Sequence, residues 1–256
     1  LNFQVICYIF ESIMYLMRKV LVTGAAGFIG NHLIDFLLKE NYEVIALDNF
    51  SDDEGKKLKI KRHSESKNYK FIRADINDVS SLESAFKESN PDVVIHLAAK
   101  IKVDESLTNP EEYFRVNVIG TLNVLKQSVK CNVKKFIFSS SAAVYGTKDK
   151  VPLKEDESLL TPLSTYAVTK ITGEGLCHVY SNISDMKCVC LRFFNVYGSG
   201  QSEPALVPKF INLISQGKPV TIYGDGKHTR DFIYISDVVQ GIVKSIDYEK
   251  KNYEIF

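Results

Sequence analysis

Residues 22–30 read VTGAAGFIG, with glycines set three apart at Gly24, Gly27 and Gly30. Before them, KVLVT (19–23) is a short apolar run of strand type. After them, residues 28–40 carry apolar side chains at helical spacing. The glycines therefore occupy a strand-to-helix turn. In such a turn the first glycine permits a tight reversal. The second lets the backbone approach another group, and the third lets the helix lie close on the strand. The helix start adds N–H groups with no intrahelical partner and roughly half a positive charge, a combination that suits an anion.

Working outward, the same alternation repeats. EVIALD (43–48), YKFIRAD (69–75), DVVIHLAA (92–99), KKFIFSSS (134–141) and KCVCLRF (187–193) read as strands. Residues 80–88, 110–130 and 165–182 read as helices between them. Short strands that are apolar on both sides and separated by helices imply a parallel sheet covered on both faces. The expected fold class is α/β, a doubly wound parallel sheet (Rossmann fold), with a small C-terminal substrate domain. The expected domains are a leader at 1–16, the sheet domain at 17–192 and a partial second domain at 193–256. In that last part, helices are expected at 207–216 and 236–247, the latter packing back on the sheet domain. KNYEIF (251–256) reads as a strand that stops mid-element, so the sequence is expected to continue. The first sixteen residues are apolar but too short to span a bilayer, and Glu11 interrupts them.

A glycine turn alone is weak evidence; its context is testable. A dinucleotide-binding turn needs an acid at the end of the second strand, and Asp48 stands there, eighteen residues after Gly30. Its carboxylate would accept bonds from ribose hydroxyls and repel a 2′-phosphate, which favours NAD over NADP. The basic cluster at 56–62 works against that preference. A second constellation decides the chemistry. TYAVTK places Tyr166 and Lys170 four apart, on one face of a helix start. Ser139, Ser140 and Ser141 end the fifth strand. In an open parallel sheet, ligands lie beyond the carboxyl ends of the strands, so glycine turn, serines and tyrosine converge. A free tyrosine ionises near pH 10, so a base at neutral pH needs a shift of about three units, or about 4 kcal/mol. The Lys170 ammonium and a cationic nicotinamide would both favour the phenolate. A serine hydroxyl could hold the substrate oxygen while a secondary alcohol loses a proton and a hydride.

These motifs, with LDNFS, ADIND, NVIGTLNVL, FIFSSSAAVYG, LRFFNVYG and GDGKHTRDFIYISDV, resemble the extended short-chain dehydrogenase/reductase superfamily. The resemblance is to its NAD-dependent nucleotide-sugar epimerases and dehydratases of the UDP-glucose 4-epimerase type. It implies that Gly24, Gly27, Phe28, Ile29 and Gly30 hold the pyrophosphate of NAD, with Asp48 and Asn49 on the adenosine ribose. It implies that Asp75 and Ile76 flank the adenine, and that Leu97, Ala98, Ala99, Asn117 and Ser139 line the dinucleotide. Ser141, Tyr166 and Lys170 match the catalytic trio, with Tyr166 and Lys170 also on the cofactor. Phe193 and Asn195 would lie where nicotinamide meets sugar, and Arg230 would grip the nucleotide diphosphate of the substrate. In 4-epimerases a lysine a few residues past HLAA often reaches the cofactor; here the sequence departs from that pattern, with Lys100 and Lys102 straddling Ile101, and the contact stays open. Related 4,6-dehydratases carry an acidic pair where this chain has Ala142 and Ala143, so oxidation at C4 without elimination is favoured. The implied reaction is C4 epimerisation of a UDP-glucose/UDP-galactose type sugar through a 4-keto intermediate. A dehydratase, a reductase, a decarboxylase and a catalytically idle NAD-binding fragment stay open as alternatives.

The remaining signals mostly exclude. A formal net charge of +1 gives no electrostatic case for nucleic acid or an anionic membrane. Five scattered cysteines show neither zinc nor CxxC spacing, which fits buried free thiols in a cytoplasmic, reducing setting. Cys188 and Cys190 should share a face. The five histidines share no metal-ligand pattern, so no metal is expected. His96 reads as a packing residue. Tyr113, Phe114, Val118, Leu122 and Leu125 form an apolar stripe that a plain core face explains; the resemblance implies instead a homodimer bundle of this helix with the Tyr166 helix.

Overall fold

The computed structural model describes residues 18–50, 60–147, 151–157, 161–203, 205–222, 224–227 and 229–256. The expectations for residues 1–16, for the basic positions 56–59, and for Cys7 and His228 lie outside them. Seven strands form one parallel sheet: β1 (Lys19–Thr23), β2 (Glu43–Asp48), β3 (Tyr69–Arg73), β4 (Val93–His96), β5 (Lys135–Ser141), β6 (Lys187–Phe193) and β9 (Tyr253–Ile255). Their order is β3-β2-β1-β4-β5-β6-β9. The chain starts in the middle, moves to one edge, then returns and fills the other side. The reversal falls between β1 and β4, where Thr23 pairs with His96.

Alternation along the strands builds two cores. Val20, Val22, Val44, Ala46, Val93, Ile95, Ile137 and Val189 point to one face. There they meet Leu33, Ile34 and Leu37 of α1 (Phe28–Lys39) and Val238, Val239, Ile242 and Ile246 of α8 (Ile235–Ile246). Leu21, Ile45, Leu47, Val94, Phe136, Phe138, Cys188 and Cys190 point to the other. They meet α2 (Val79–Ser89), α5 (Thr121–Lys130) and α6 (Thr165–Ile183). Cys188 and Cys190 thus share a face, with Cys177 of α6 beside them. Helix ends follow local chemistry. Asp78 caps α2 by accepting from the Ser80 and Ser81 N–H groups, a contact worth about 1 kcal/mol, and Asn90 closes it with a left-handed φ of 43°.

One expected element differs. Residues 110–130 are not a uniform α-helix: α4 (Pro110–Tyr113) passes into a π-helical stretch, Phe114–Gly120, before α5. A short α3 (Val103–Thr108) precedes it. Extra residues per turn in the π stretch rotate the face that follows, so the stripe read at a period of 3.6 splits. Tyr113 and Leu125 are fully buried, whereas Phe114 and the neighbouring Ile119 are exposed.

The last part carries a two-stranded parallel ribbon, β7 (Asn195–Tyr197) with β8 (Phe232–Tyr234). Between them, α7 (Leu206–Ser215) buries none of its residues. Of the described helices none is long and apolar enough to cross a membrane.

Candidate active site

The turn between β1 and α1 has its main chain laid bare. Gly24 has φ +67°, and a Cβ there would lie 2.7 Å from the Ala98 nitrogen. A Cβ on Gly30 would lie 2.6 Å from the Gly24 oxygen. Only hydrogen fits at either position. Gly27 caps α1 without a side-chain bond, so the first-turn N–H groups, including those of Phe28 and Ile29, lack a side-chain acceptor there. Asn31, which sequence reasoning missed, braces the turn by donating to the Ala26 and Gly27 carbonyls at 3.0 and 2.8 Å. A diphosphate suits this cradle: backbone donors, a helix N-terminus and no Cβ in the way.

Asp48 ends β2 beside it. Its carboxylate accepts from the Ala26 N–H at 3.0 Å and the Phe50 N–H at 2.8 Å, which fixes it at the rim of the turn. Arg62, from the basic cluster, is paired with Asp35 and reaches the Asn31 carbonyl. Asn49 donates to Asp75 at 2.9 Å. Burial would raise the Asp75 pKa, but bonds from the Asn77 backbone, Asn49 and the Asn77 side chain hold it below the ordinary carboxylate value. Asp75 is therefore an anionic acceptor beside the half of the site expected to take adenosine, and Ile76 is buried behind it.

Across the sheet reversal, Leu97, Ala98 and Ala99 leave β4 against the glycine turn. Ala98 N–H donates to Thr23 Oγ1 at 3.2 Å. His96 sits below, 1% exposed, with Nδ1 2.7 Å from Thr23 Oγ1 and Nε2 2.9 Å from Thr121 Oγ1. Thr121 donates onward to the Asn117 carbonyl, so the proton must be on Nε2 and Nδ1 must accept. Burial, aided by the Lys170 charge, lowers the His96 pKa to about 3, so it is neutral. It is a polar strut rather than simple packing. Asn117 is 2% exposed, and its amide is spent on the Lys100 backbone, at 2.8 and 2.9 Å, and on Thr169 Oγ1 at 3.1 Å. Its contacts hold the Leu97–Lys100 segment against α6. Lys100 is half-buried near Glu105, whereas the Lys102 side chain is 64% exposed.

The serine strand and the tyrosine helix meet as expected from their spacing. Ser164 caps α6 by accepting from the Ala167 N–H, and Ser106 of α3 takes the N–H of Tyr166 at 3.1 Å. These bonds set Tyr166 in the first turn of the helix, where its phenol meets the Ser141 hydroxyl. Ser141 also caps the short turn Ala142–Tyr145. Lys170 Nζ donates to the Ser139 carbonyl at 2.7 Å and lies 5.8 Å from the Tyr166 ring centre. It is therefore aimed at the strand rather than at the phenolic oxygen. Burial lowers the Lys170 pKa to about 8. Burial also raises the Tyr166 pKa, and the Ser141 bond only partly opposes it. The direction is opposite to the one a base requires, so without a ligand Tyr166 is a phenol.

Phe193 pairs with Ser141 across β5 and β6, which brings it to the same strand end. Asn195 donates through Nδ2 to the Asp231 carbonyl at 2.7 Å, which braces the segment that carries Arg230. Arg230 is exposed and, among the described residues, donates to its neighbour, the Thr229 carbonyl. The structure thus gathers the glycine turn, Asp48, Leu97–Ala99, Ser139, Ser141, Tyr166, Lys170 and Phe193 at the carboxyl ends of β1, β2, β4, β5 and β6. Arg230 stands apart on the ribbon. Among the described residues no group of three His, Cys, Asp or Glu side chains converges to hold a metal.

Comparison with known proteins agrees with this layout. Residues 20–256 match the model of the NAD-dependent epimerase/dehydratase family. UDP-glucuronate 4-epimerase of Thermodesulfobacterium geofontis is 39% identical over 242 residues, covering 93% of this chain and 74% of the relative. The structure of UDP-N-acetylglucosamine 4-epimerase from Methanobrevibacter ruminantium M1 in complex with UDP-N-acetylmuramic acid superposes with a TM-score of 0.85. It is 36% identical, with 94% of this chain and 76% of that one covered. UDP-glucose 4-epimerase of Thermus thermophilus, solved in complex with NAD, gives 0.79 at 34% identity, with 93% and 76% covered. A doubly wound sheet with a bare glycine cradle, a serine strand and a buried Tyr–Lys helix, matched over nearly the whole described chain, places this protein in the NAD-dependent epimerase/dehydratase family.

Proposed function

We propose that this chain catalyses NAD-dependent epimerisation at C4 of a nucleotide-diphosphate hexose of the UDP-glucose/UDP-galactose type, through a transient 4-keto sugar. The observation that carries the reading is the gathering of Ser141, Tyr166 and Lys170 where α6 meets the end of β5, with Lys170 donating to the Ser139 carbonyl, on the same sheet end as a turn that only glycine permits. The residues fit a dinucleotide. Gly24, Gly27, Phe28, Ile29 and Gly30 would take its diphosphate, Asp48 and Asn49 a ribose, and Asp75 with Ile76 the adenine. Leu97–Ala99, Ser139 and Phe193 would line the rest, and Asn117 would hold that lining in place. Bound NAD supplies a hydride acceptor at C4, a donor for the return step and a positive ring while oxidised.

Ser141 binds the C4 hydroxyl and orients it toward Tyr166. Tyr166 removes the hydroxyl proton as the carbonyl forms and gives it back as the alcohol is restored on the opposite face. Lys170, an ammonium below a pH of about 8, supplies positive charge under the phenol. Since burial alone keeps Tyr166 protonated, the base is made only when a further positive charge enters the pocket, so the free protein is not poised to abstract protons. Ala142 and Ala143 place no acid at the strand exit, which argues against elimination across C5 and C6. Asn195 and Arg230 would contact the sugar nucleotide, Arg230 as a bidentate donor to the diphosphate.

A cytoplasmic homodimer belongs to the same proposal. Phe114 and Ile119 border an open groove with Pro110, Glu111 and Arg115, and Val179 and Ile183 expose further apolar surface on α6. The test is incubation with NAD and, separately, UDP-glucose, UDP-N-acetylglucosamine and UDP-glucuronate, with proton NMR of the products. An inverted C4 centre on UDP-glucose with no net NADH supports the reading. An epimer from one of the other sugars alone changes the substrate. A dehydrated or decarboxylated product, or no product, overturns it.

A further inference from the structure

Three consecutive serines end β5, and their three partners on α6 lie one turn apart. Ser141 meets Tyr166, the Ser139 carbonyl accepts Lys170, and the Ser140 hydroxyl donates to Glu174. Tyr166, Lys170 and Glu174 follow one another at intervals of four and so form one stripe of the helix. The proton transfer above has no use for the third rung. Glu174 is nonetheless 3% exposed, and Arg192 grips both its oxygens, Nε to Oε1 and Nη2 to Oε2, each at 2.9 Å. Arg192 pairs with Ser140 across the sheet, stacks 4.8 Å from the Tyr145 ring centre, and donates to the Glu155 carbonyl at 3.1 Å. One ion pair thus joins α6, β5, β6 and the loop that leaves Ser141.

Stability does not account for it. Removing two charges from water offsets their attraction, and apolar replacements of such pairs are often as stable. Position and charge are what the pair supplies. Burial leaves Lys170 with few places to rest its proton. From α6 it faces Tyr166, Glu174 and Cys177; from β6, Cys190, with Arg192 beyond; from β4, His96. Tyr253 of β9 lies behind the thiols. Among these groups Glu174 is the one carboxylate. We propose, resting on the catalytic reading above, that Glu174 is a positioning residue: clamped by Arg192 and bonded by Ser140, it sets α6 in register on the serine strand and is the anion that steadies the Lys170 ammonium.

The test reads Lys170 directly. The ligand-free chain, labelled with 13C at lysine Cε, is titrated by NMR, and Lys170→Met identifies the resonance. In Glu174→Gln, which keeps the shape and one acceptor, the Lys170 midpoint should fall by roughly one pH unit, about tenfold less ammonium at a fixed alkaline pH. A merely loosened site would admit water and move the midpoint the other way, toward the ordinary lysine value of about 10.4. Glu174→Asp, which keeps the charge, should restore most of the shift. If Glu174→Gln does not fold, Glu174→Gln with Arg192→Met removes the carboxylate together with the guanidinium beyond it; because Glu174 is the charge that acts on Lys170, the midpoint should still fall, by less than in the single variant. An unchanged or raised midpoint in whichever variant folds overturns the proposal, as does an equal fall in Glu174→Asp. The reading needs no turnover, so a parent chain that epimerises nothing while the midpoint still falls removes the reaction and leaves the Glu174–Lys170 coupling standing.

Discussion

Replacing Gly24 with alanine tests the cradle at the position where two costs coincide. The residue has φ +67°, a conformation that costs a side-chain-bearing residue about 1–2 kcal/mol. The added methyl would also stand 2.7 Å from the Ala98 nitrogen and 2.8 Å from its Cα. Those atoms are backbone, anchored by the bond from Ala98 N–H to Thr23, and cannot swing aside. Overpacking of this kind costs about 1–3 kcal/mol. The two together predict a loss of about 2–5 kcal/mol, or about 4–20 °C in melting temperature for a chain of this size. The control is Gly241→Ala in α8, where an added Cβ meets nothing within 4 Å. That change should be neutral or stabilise by about 0.5–1 kcal/mol. Thermal unfolding with and without NAD reads both effects, and the NAD-induced rise should shrink only in Gly24→Ala. Equal melting of the two variants, with equal response to NAD, would refute the reasoning.

Other outcomes follow from buried titrating groups. Lys170 loses its proton near pH 8 when folded and near pH 10.4 when unfolded. Below 8 both states are charged and the burial penalty is complete; stability from this group is regained as pH rises through that window, by about 3 kcal/mol in all. Lys170→Met should therefore out-melt the parent at pH 7, be inactive, and lose its advantage as pH rises from 8 to above 10 in denaturant unfolding. His96 titrates near 3 when folded and near 6.5 when unfolded, so its contribution is complete above 6.5 and drains away as pH falls toward 3. A His96→Leu variant should be less stable at pH 7, because it leaves the buried Thr23 hydroxyl proton without its acceptor, and should show a flatter acid limb than the parent. Parallel acid limbs would remove His96 as a source of acid sensitivity.

The strands were the most legible feature in the sequence, and the physical reason is burial on both faces. KVLVT, EVIALD and KCVCLRF coincide with β1, β2 and β6, because an apolar run bounded by polar or glycine residues leaves little choice of limits. The serine–tyrosine–lysine meeting was legible too, since helical spacing and strand ends fix it. What the sequence hid was the breaking of residues 110–130 by a π-helical stretch, which leaves no mark in a 3.6-residue pattern. The Glu174–Arg192 pair was equally hidden. A glutamate within a helix and an arginine near the end of an apolar strand carry no mark in the sequence that they are buried. Only the fold shows that both are nearly inaccessible to water. Spacing alone misjudges the protonation of Tyr166. Lys170 four residues on is near the ring, but its nitrogen is committed to Ser139, so burial decides the direction.

Tyr166→Phe, assayed by NMR for C4 inversion of UDP-glucose with NAD bound, tests the central claim most directly. The change removes one oxygen and leaves the buried ring, the cradle and Lys170 in place. Turnover should fall by about 10²–10⁴-fold while NAD still binds. Turnover equal to that of the parent would mean that the phenol moves no proton, and the proposed chemistry would have to be abandoned.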